Sequence, residues 1–490
     1  MAQISQHFIE HIEKQLPQHI SLEELLAACQ RPLRKSVRAN LLKTTTSELR
    51  DQFEKAGYSL LPIPWCDEGF WVDESTQPLP DNIGNWLPHL QGQCYIQEAS
   101  SMLPVKALLH DLEVNDHSKF LDMAAAPGSK TTQLASLTHN QGLIVANELS
   151  STRLKGLYYN IQRCGLENTA LRHADGRQFG QQTPEFFDAI LLDAPCGGEG
   201  TVRKDEQALA NWDINNVRSM SELQKELIVS AFKALKPGGR LVYSTCTLSR
   251  EENQDVCKHL LMTYPEQVTV KPLNTLFTNA DQAITEEGYL QVYPSIFDCE
   301  GFFVASFEKL GKSVEKEPAE PASKFTHLTK PSAKQLEMIV PYFNIFGWDL
   351  APLQDELWVK KGKANTQEIW LIGKEIPALN QRLKLNRFGV KLLELNKHGP
   401  KIQHQAITTL GHHFTQQIVE LTAQQASEYY QGKDIFLPAP EEPPKHKEVI
   451  VTYQQNPLGL AKHLGNKLKN NLPRELVRDK AFSELSDHAR

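Results

Sequence analysis

Between residues 113 and 310, short apolar runs alternate with longer stretches of helical period. No other pattern in the chain constrains the fold as much, because strand–helix alternation marks a parallel sheet wrapped by helices. Strands are expected over residues 119–125, 143–148, 169–175, 187–193 and 240–246, and helices over 150–164 and 217–235. The second helix should stop at Lys236-Pro237-Gly238-Gly239, a terminus and turn leading into the next strand. The apolar run over 301–307 fits an edge or antiparallel strand. The fold class is α/β.

A chain of 490 residues exceeds one ordinary core, and about three domains are expected. Residues 1–112 read as a helical start followed by short mixed elements, 113–310 as the α/β domain, and 311–324 as a solvated linker rich in Lys, Glu and Pro. Beyond it, β-type runs at 369–372 and 449–452 suggest one or two small appended domains, over 325–390 and 391–490. Hydrophobic content of 40% and charged content of 23% are those of a soluble globular protein. No stretch approaches the ~20 apolar residues of a membrane span, and residues 1–18 carry no apolar signal core. A cytoplasmic protein is expected, with no membrane partner. Eight cysteines without a Cys-x-x-Cys pair imply neither a zinc site nor a disulfide framework, so no metal is expected.

The first strand of the α/β region runs into Asp122-Met123-Ala124-Ala125-Ala126-Pro127-Gly128-Ser129-Lys130-Thr131, a small-residue loop followed by a helix. Ligands of such sheets bind at the carboxyl ends of the strands. Small side chains let the backbone approach a ligand, Gly128 lets the chain turn, and the following helix N–H groups can bind a carboxylate. A dinucleotide fingerprint needs three spaced glycines, and a P-loop needs an earlier glycine in register; neither fits. Acids follow at later strand ends: Glu148, placed for ribose hydroxyls, Asp175, placed for the adenine, and Asp193. Each alone could equally cap the helix after it. Three in succession favour a nucleoside cofactor, and S-adenosylmethionine fits better than NAD or ATP.

Two cysteines also end strands at this edge, Cys196 in Asp193-Ala194-Pro195-Cys196 and Cys246 in Ser244-Thr245-Cys246. A thiolate adding to carbon 6 of cytosine pushes electron density onto carbon 5, which can then take a methyl group. Asp193 could hold the pyrimidine edge. The other cysteines read as buried hydrophobes. Spacing and chemistry leave open which of the two attacks.

These motifs, together with Gly200-Thr201-Val202-Arg203-Lys204-Asp205, Tyr243-Ser244-Thr245-Cys246-Thr247, Glu251-Glu252-Asn253 and Glu300-Gly301-Phe302-Phe303, resemble the NOL1/NOP2/Sun family of RNA cytosine-5 methyltransferases. The resemblance spans about residues 95–310. It implies a class I (Rossmann-like) methyltransferase sheet, with Cys246 as nucleophile, Cys196 assisting product release, and Asp193 contacting base and cofactor. The implied S-adenosylmethionine contacts are Ala124, Ala125, Ala126, Pro127, Gly128, Ser129, Lys130, Glu148, Asp175 and Asp193, with Arg153 as a further match. Ala124 stands where many relatives have cysteine.

A net charge of −7 argues mildly against nucleic acid, but basic residues cluster at Arg31, Arg34, Lys35 and Arg38, and again at Lys462, Lys467, Lys469, Arg474 and Arg478. Such clusters supply phosphate contacts, though either alone reads better as a solvated face. The first resembles the family's N-terminal mixed α+β RNA-binding module. The region ending in Asn456-Pro457-Leu458-Gly459-Leu460-Ala461-Lys462 resembles the PUA-like, β-rich C-terminal domain of a bacterial subgroup. That likeness implies a cytosine in the decoding region of 16S rRNA, within the small ribosomal subunit. Rivals are the same chemistry on tRNA or 23S rRNA, an RNA-binding ribosome assembly factor, and a base amino-group methyltransferase. The last commonly carries Asn/Asp-Pro-Pro-aromatic where this chain has Asp-Ala-Pro-Cys.

Overall fold

Four sheets organise the described residues, which in this computed structural model are 2–311, 328–362, 366–438 and 446–483. Apart from Gly311, the expected linker lies outside them. The first sheet is antiparallel, with β1 (Ser36–Ala39), β2 (Ser59–Ile63), β3 (Cys66–Asp73) and β4 (Cys94–Ile96) in the order β2-β3-β1-β4. Two short helices precede it, Gln6–Glu13 and Leu22–Cys29. They pack Phe8, Ile12 and Leu25 onto Val202, Leu248 and Tyr293, beside the loop that follows Cys246.

The central sheet carries the site. Its strands are β5 (Lys119–Asp122), β6 (Leu143–Asn147), β7 (Thr169–Arg172), β8 (Phe187–Asp193), β9 (Leu235–Thr245), β10 (Val268–Val270), β11 (Leu290–Val292) and β12 (Phe302–Lys309). The order is β10-β12-β9-β8-β5-β6-β7, with β11 also paired to β12. β5 to β9 are parallel, and the order reverses between β5 and β8, where ligands of such sheets bind. Successive residues face opposite layers. Phe120, Ile144, Leu191 and Val242 pack under the helices Leu103–Leu109, Ser129–Leu137 and Ser151–Cys164. Their neighbours Leu121, Val145, Ile190 and Leu241 pack under Ile214–Ala234 and Gln254–Thr263.

The run over 301–307 takes the antiparallel form of its two expected ones: β12 is antiparallel and lies between β9 and β10. One expectation changes here. Residues 236–239 do not separate helix from strand; Leu235 already pairs with Phe187, and Arg240 resumes opposite Ala189. The four residues bulge opposite Asp188, whose carboxylate takes Lys236 Nζ and the Lys119 amide, and Gly238 supplies the positive φ of 79°.

The third sheet is an antiparallel meander of Leu328–Thr329, Leu357–Lys361, Gln367–Leu371, Val390–Asn396 and Gly399–Ile402. Its last two strands run past the expected break at 390, because Val390 pairs with Leu371 and the hairpin closes only at Ile402. Ile376, Leu379 and Leu383 of the helix Ile376–Leu383 join the core of the central sheet. The fourth sheet orders Ile418–Glu420, Glu448–Tyr453, Asn456–His463, Lys467–Asn470 and Ile435–Phe436. After it the chain returns to the first domain, where Phe482 enters the core beside Trp86.

Candidate active site

β8 and β9 end level, with Asp193 opposite Ser244. The loops that follow bring Cys196 Sγ and Cys246 Sγ to 3.2 Å, and both residues are half-buried. The other six cysteines are buried, and burial pushes the thiols of Cys29, Cys66, Cys94, Cys257 and Cys299 out of reactive range, Cys29 to about 11 and Cys94 to about 12. Cys196 is also pushed well up, first by its hydrogen bond with Cys246 and then by burial. It is held as a thiol.

Residues far away in sequence hold both loops. Gly200 N–H donates to the Cys246 carbonyl at 2.9 Å, and Gly301 N–H donates to Gly200 O at 3.0 Å. A Cβ on Gly200 would lie 2.1 Å from Gly301 O, so only glycine permits that approach. Glu199, buried beneath, accepts from Thr247 Oγ1 (2.7 Å), Leu248 N (3.0 Å), both the amide and hydroxyl of Ser249 (2.8 and 2.5 Å), and Trp212 Nε1 (2.6 Å). Asn253 brackets Cys246, accepting from Thr245 Oγ1 and donating to Thr247 O. Glu252 accepts the Gly197 N–H at 3.0 Å. The resemblance contained Gly200, Glu252, Asn253 and Gly301 without a role for them and did not reach Glu199; an acid between two glycines three residues after a cysteine is the local sign that could have pointed to Glu199.

Asp193 sits beside the sulfurs and is fixed from two sides, by Lys130 Nζ at 2.7 Å and Ser244 Oγ at 2.7 Å. Lys130 also donates to Ser101 Oγ at 3.0 Å and lies 5.4 Å from the Phe302 ring centroid. Burial works to lower the Lys130 amine, but Asp193, together with Asp122 and Cys246, outweighs it, so the net shift is upward and the ammonium persists. Lys130 is thus a partner of Asp193 rather than only a member of the cofactor loop.

Across the switch point, Ala124, Ala125 and Ala126 leave the loop after β5 free of bulk. Gly128, with φ of 106°, opens the helix Ser129–Leu137. Glu148 is buried; one oxygen accepts the Ser150 N–H at 2.7 Å, and the other has Arg153 Nη1 at 3.7 Å, past hydrogen-bond distance. That second oxygen keeps acceptor capacity for ribose hydroxyls, so the residues fit a nucleoside. Arg153 also donates to Ala126 O, bracing the loop. Asp175 stands at the same edge, but its oxygens already take the Arg177 amide and guanidinium at 2.6–3.1 Å, capping the turn that follows it. Among the described residues no group of three or more His, Cys, Asp or Glu could hold a metal ion, and no helix could cross a membrane.

The whole chain has close relatives. It is 48% identical over 488 residues to ribosomal RNA small subunit methyltransferase F of Shewanella halifaxensis, covering 98% of this chain and 99% of that one. The protein of the same name from Shewanella baltica is 47% identical over 489 residues, covering 98% of each. This chain belongs to the ribosomal RNA small subunit methyltransferase F family. Residues 109–308 match the family described as 16S rRNA methyltransferase RsmB/F, 4–99 the N-terminal domain of 16S rRNA methyltransferase RsmF, 326–410 its pre-PUA domain and 416–478 its PUA domain. A solved methyltransferase homolog from Pyrococcus horikoshii is 31% identical with a TM-score of 0.50, and covers 63% of this chain and 100% of that one.

The first basic cluster of this family member differs from expectation. Arg38 is no phosphate contact: it is fully buried on β1, donating to Gln97 Oε1 and to Thr132 Oγ1 of the helix that follows the cofactor loop. It pins the first domain to the second. Lys35 is spent on Glu74 and the Leu79 carbonyl, and Arg34 lies over Trp71, which leaves Arg31 exposed. In the PUA domain Lys462, Lys469 and Arg474 are exposed, Lys467 pairs with Asp434, and Arg478 reaches toward Tyr159.

Proposed function

We propose that this chain transfers a methyl group from S-adenosylmethionine to carbon 5 of a cytosine in 16S rRNA, through a covalent adduct with Cys246. The observation that carries the reading is the pair of sulfurs 3.2 Å apart at the ends of adjacent parallel strands, beside a fixed Asp193. S-adenosylmethionine, when bound, supplies an electrophilic methyl that an activated carbon 5 takes as the methyl–sulfur bond breaks. The loop from Ala124 to Lys130 and Glu148 would hold it, with the N–H groups of the helix Ser129–Leu137 facing its carboxylate. Asp175 would join them with Arg177 attached.

The protein's own groups activate the base. Cys246 thiolate adds to carbon 6, the new S–C bond forms, and the ring electrons move onto carbon 5. After methylation a base removes the carbon 5 proton; those electrons restore the ring double bond as the S–C bond breaks. The resemblance assigns attack to Cys246 and release to Cys196, whose thiol lies 3.2 Å from the Cys246 sulfur and is pushed up by its hydrogen bond with Cys246 and by burial. Asp193 and Lys130 present fixed charges to the pyrimidine edge. The relatives' names support ribosomal small-subunit RNA over tRNA or 23S rRNA, and the exposed lysines of the PUA domain suit phosphate contacts.

The test is mass spectrometry of 16S rRNA, tRNA and 23S rRNA incubated with purified protein and S-adenosylmethionine. One new 5-methylcytidine, in 16S rRNA alone, is expected. Methylation of an exocyclic amine, or of tRNA instead, would overturn the reading.

A further inference from the structure

Two residues adjacent in the chain hold the two cysteine loops separately. Asn253 serves Cys246 through Thr245 and Thr247. Glu252 serves Cys196: its carboxylate accepts the Gly197 N–H, and Gln224 Nε2 donates both to Glu252 Oε2 (2.7 Å) and to the Pro195 carbonyl (2.8 Å). Tyr243 Oη donates to the Glu252 carbonyl at 2.6 Å, so the strand bearing Cys246 fixes the residue that restrains Cys196. The loop approaches that carboxylate closely: a Cβ on Gly197 would lie 2.8 Å from Glu252 Oε1 and would push that side chain from its place. Gly197 and Gly198 leave the loop free to swing unless something anchors it, and Gly198 adopts φ of 73°. Glu252 is fully buried and cannot itself meet RNA or cofactor. Burial pushes its carboxyl up to about 7, so the fold keeps an acid where it is costly.

We propose that Glu252 is a positioning residue that holds the Cys196 loop against Cys246, so that release of methylated RNA, rather than methyl transfer, depends on its acceptor oxygen. The proposal rests on the release role given to Cys196 above.

The experiment uses full-length protein, small ribosomal subunits and S-adenosylmethionine, and follows both 5-methylcytidine and the protein–RNA complex that survives denaturing gels. Glu252→Ala should leave the first turnover nearly unchanged while about tenfold more complex accumulates, the worth of one charge-assisted hydrogen bond. Glu252→Gln keeps an oxygen for the Gly197 N–H and should restore release. Gln224→Met, which cuts the bridge to Pro195, should trap complex to a lesser degree and decides the matter if Glu252→Ala does not fold. Adding Cys246→Ala should abolish every trapped species. Complex trapped by Cys196→Ala but by neither Glu252→Ala nor Gln224→Met would overturn the role of Glu252 and leave that of Cys196 standing. No complex with Cys196→Ala itself would overturn the release reading.

Discussion

The cofactor half of the pocket is built from neighbours in sequence, and the reacting half from residues far apart. Glu148 accepts from Ser150, Asp175 from Arg177, and Gly128 opens the helix immediately after it. On the reacting side, Cys196 meets Cys246 across 50 residues, Gly197 meets Glu252 across 55, and Lys130 meets Asp193 across 63. A local cap can be removed without disturbing its surroundings. A buried acid that ties several strand ends together cannot, because its loss leaves many donors unpaired at once.

The largest contrast should appear on removing Glu199. Glu199→Ala strands five donors in the core and should lower unfolding free energy by on the order of 3 kcal/mol or more in urea titration, since each buried donor left unpaired costs roughly 1–3 kcal/mol. A loss below about 1 kcal/mol would place the strength of the reacting half elsewhere. On the other side, Glu148→Ala should weaken S-adenosylmethionine binding about ten- to hundredfold by calorimetry, with the melting temperature unchanged. A destabilised Glu148→Ala protein would erase the distinction.

A pH series sharpens the comparison further. Glu300, beside Glu98, is pushed up to about 8, first by burial and then by that neighbouring charge. Between the unfolded carboxyl value of ~4.3 and about 8 the native state binds more protons than the unfolded chain. Stability should therefore be lost as pH rises through about 8. The melting temperature should fall from pH 6 to 8.5, and Glu300→Gln should flatten that slope; an unchanged slope would assign it to other groups.

The smallest effect concerns the PUA domain, where Lys462 faces Lys469 across two strands. Like charges so placed cost roughly 0.2–1 kcal/mol. Because Lys462 also faces Glu448 on its other side, Lys462→Gln should leave stability nearly unchanged while weakening small-subunit binding and making its salt dependence shallower by about one counterion. Point substitution is the cleaner probe, since deleting residues 325–490 would also strip Ile376 from the central core and Phe482 from the N-terminal one.

The same division decided what could be read from the chain. β8 has the bounds its apolar run indicated, 187–193, and the cysteines, Asp193 and the cofactor loop meet at one edge as the motifs imply. β5, β6 and β7 end earlier than expected, at Asp122, Asn147 and Arg172, because the residues after them leave the sheet for the loops that carry Ala124, Glu148 and Asp175. Small apolar side chains look alike in a strand and in such a loop. Arg38 was unreadable for a related reason: basic spacing does not say which face of β1 an arginine occupies, and this one faces Gln97 and Thr132. The partners of Glu199 and Glu252 left no local trace, since each lies about fifty residues from the loop it holds.

Peptide mapping of the trapped complex tests the central claim most directly. Cys196→Ala protein would be incubated with small subunits and S-adenosylmethionine, denatured, digested with protease and nuclease, and analysed by mass spectrometry. The account predicts a methylcytidine nucleotide attached to the peptide containing Cys246, and none elsewhere. Attachment at any other residue, or Cys246→Ala protein that still methylates, would contradict it.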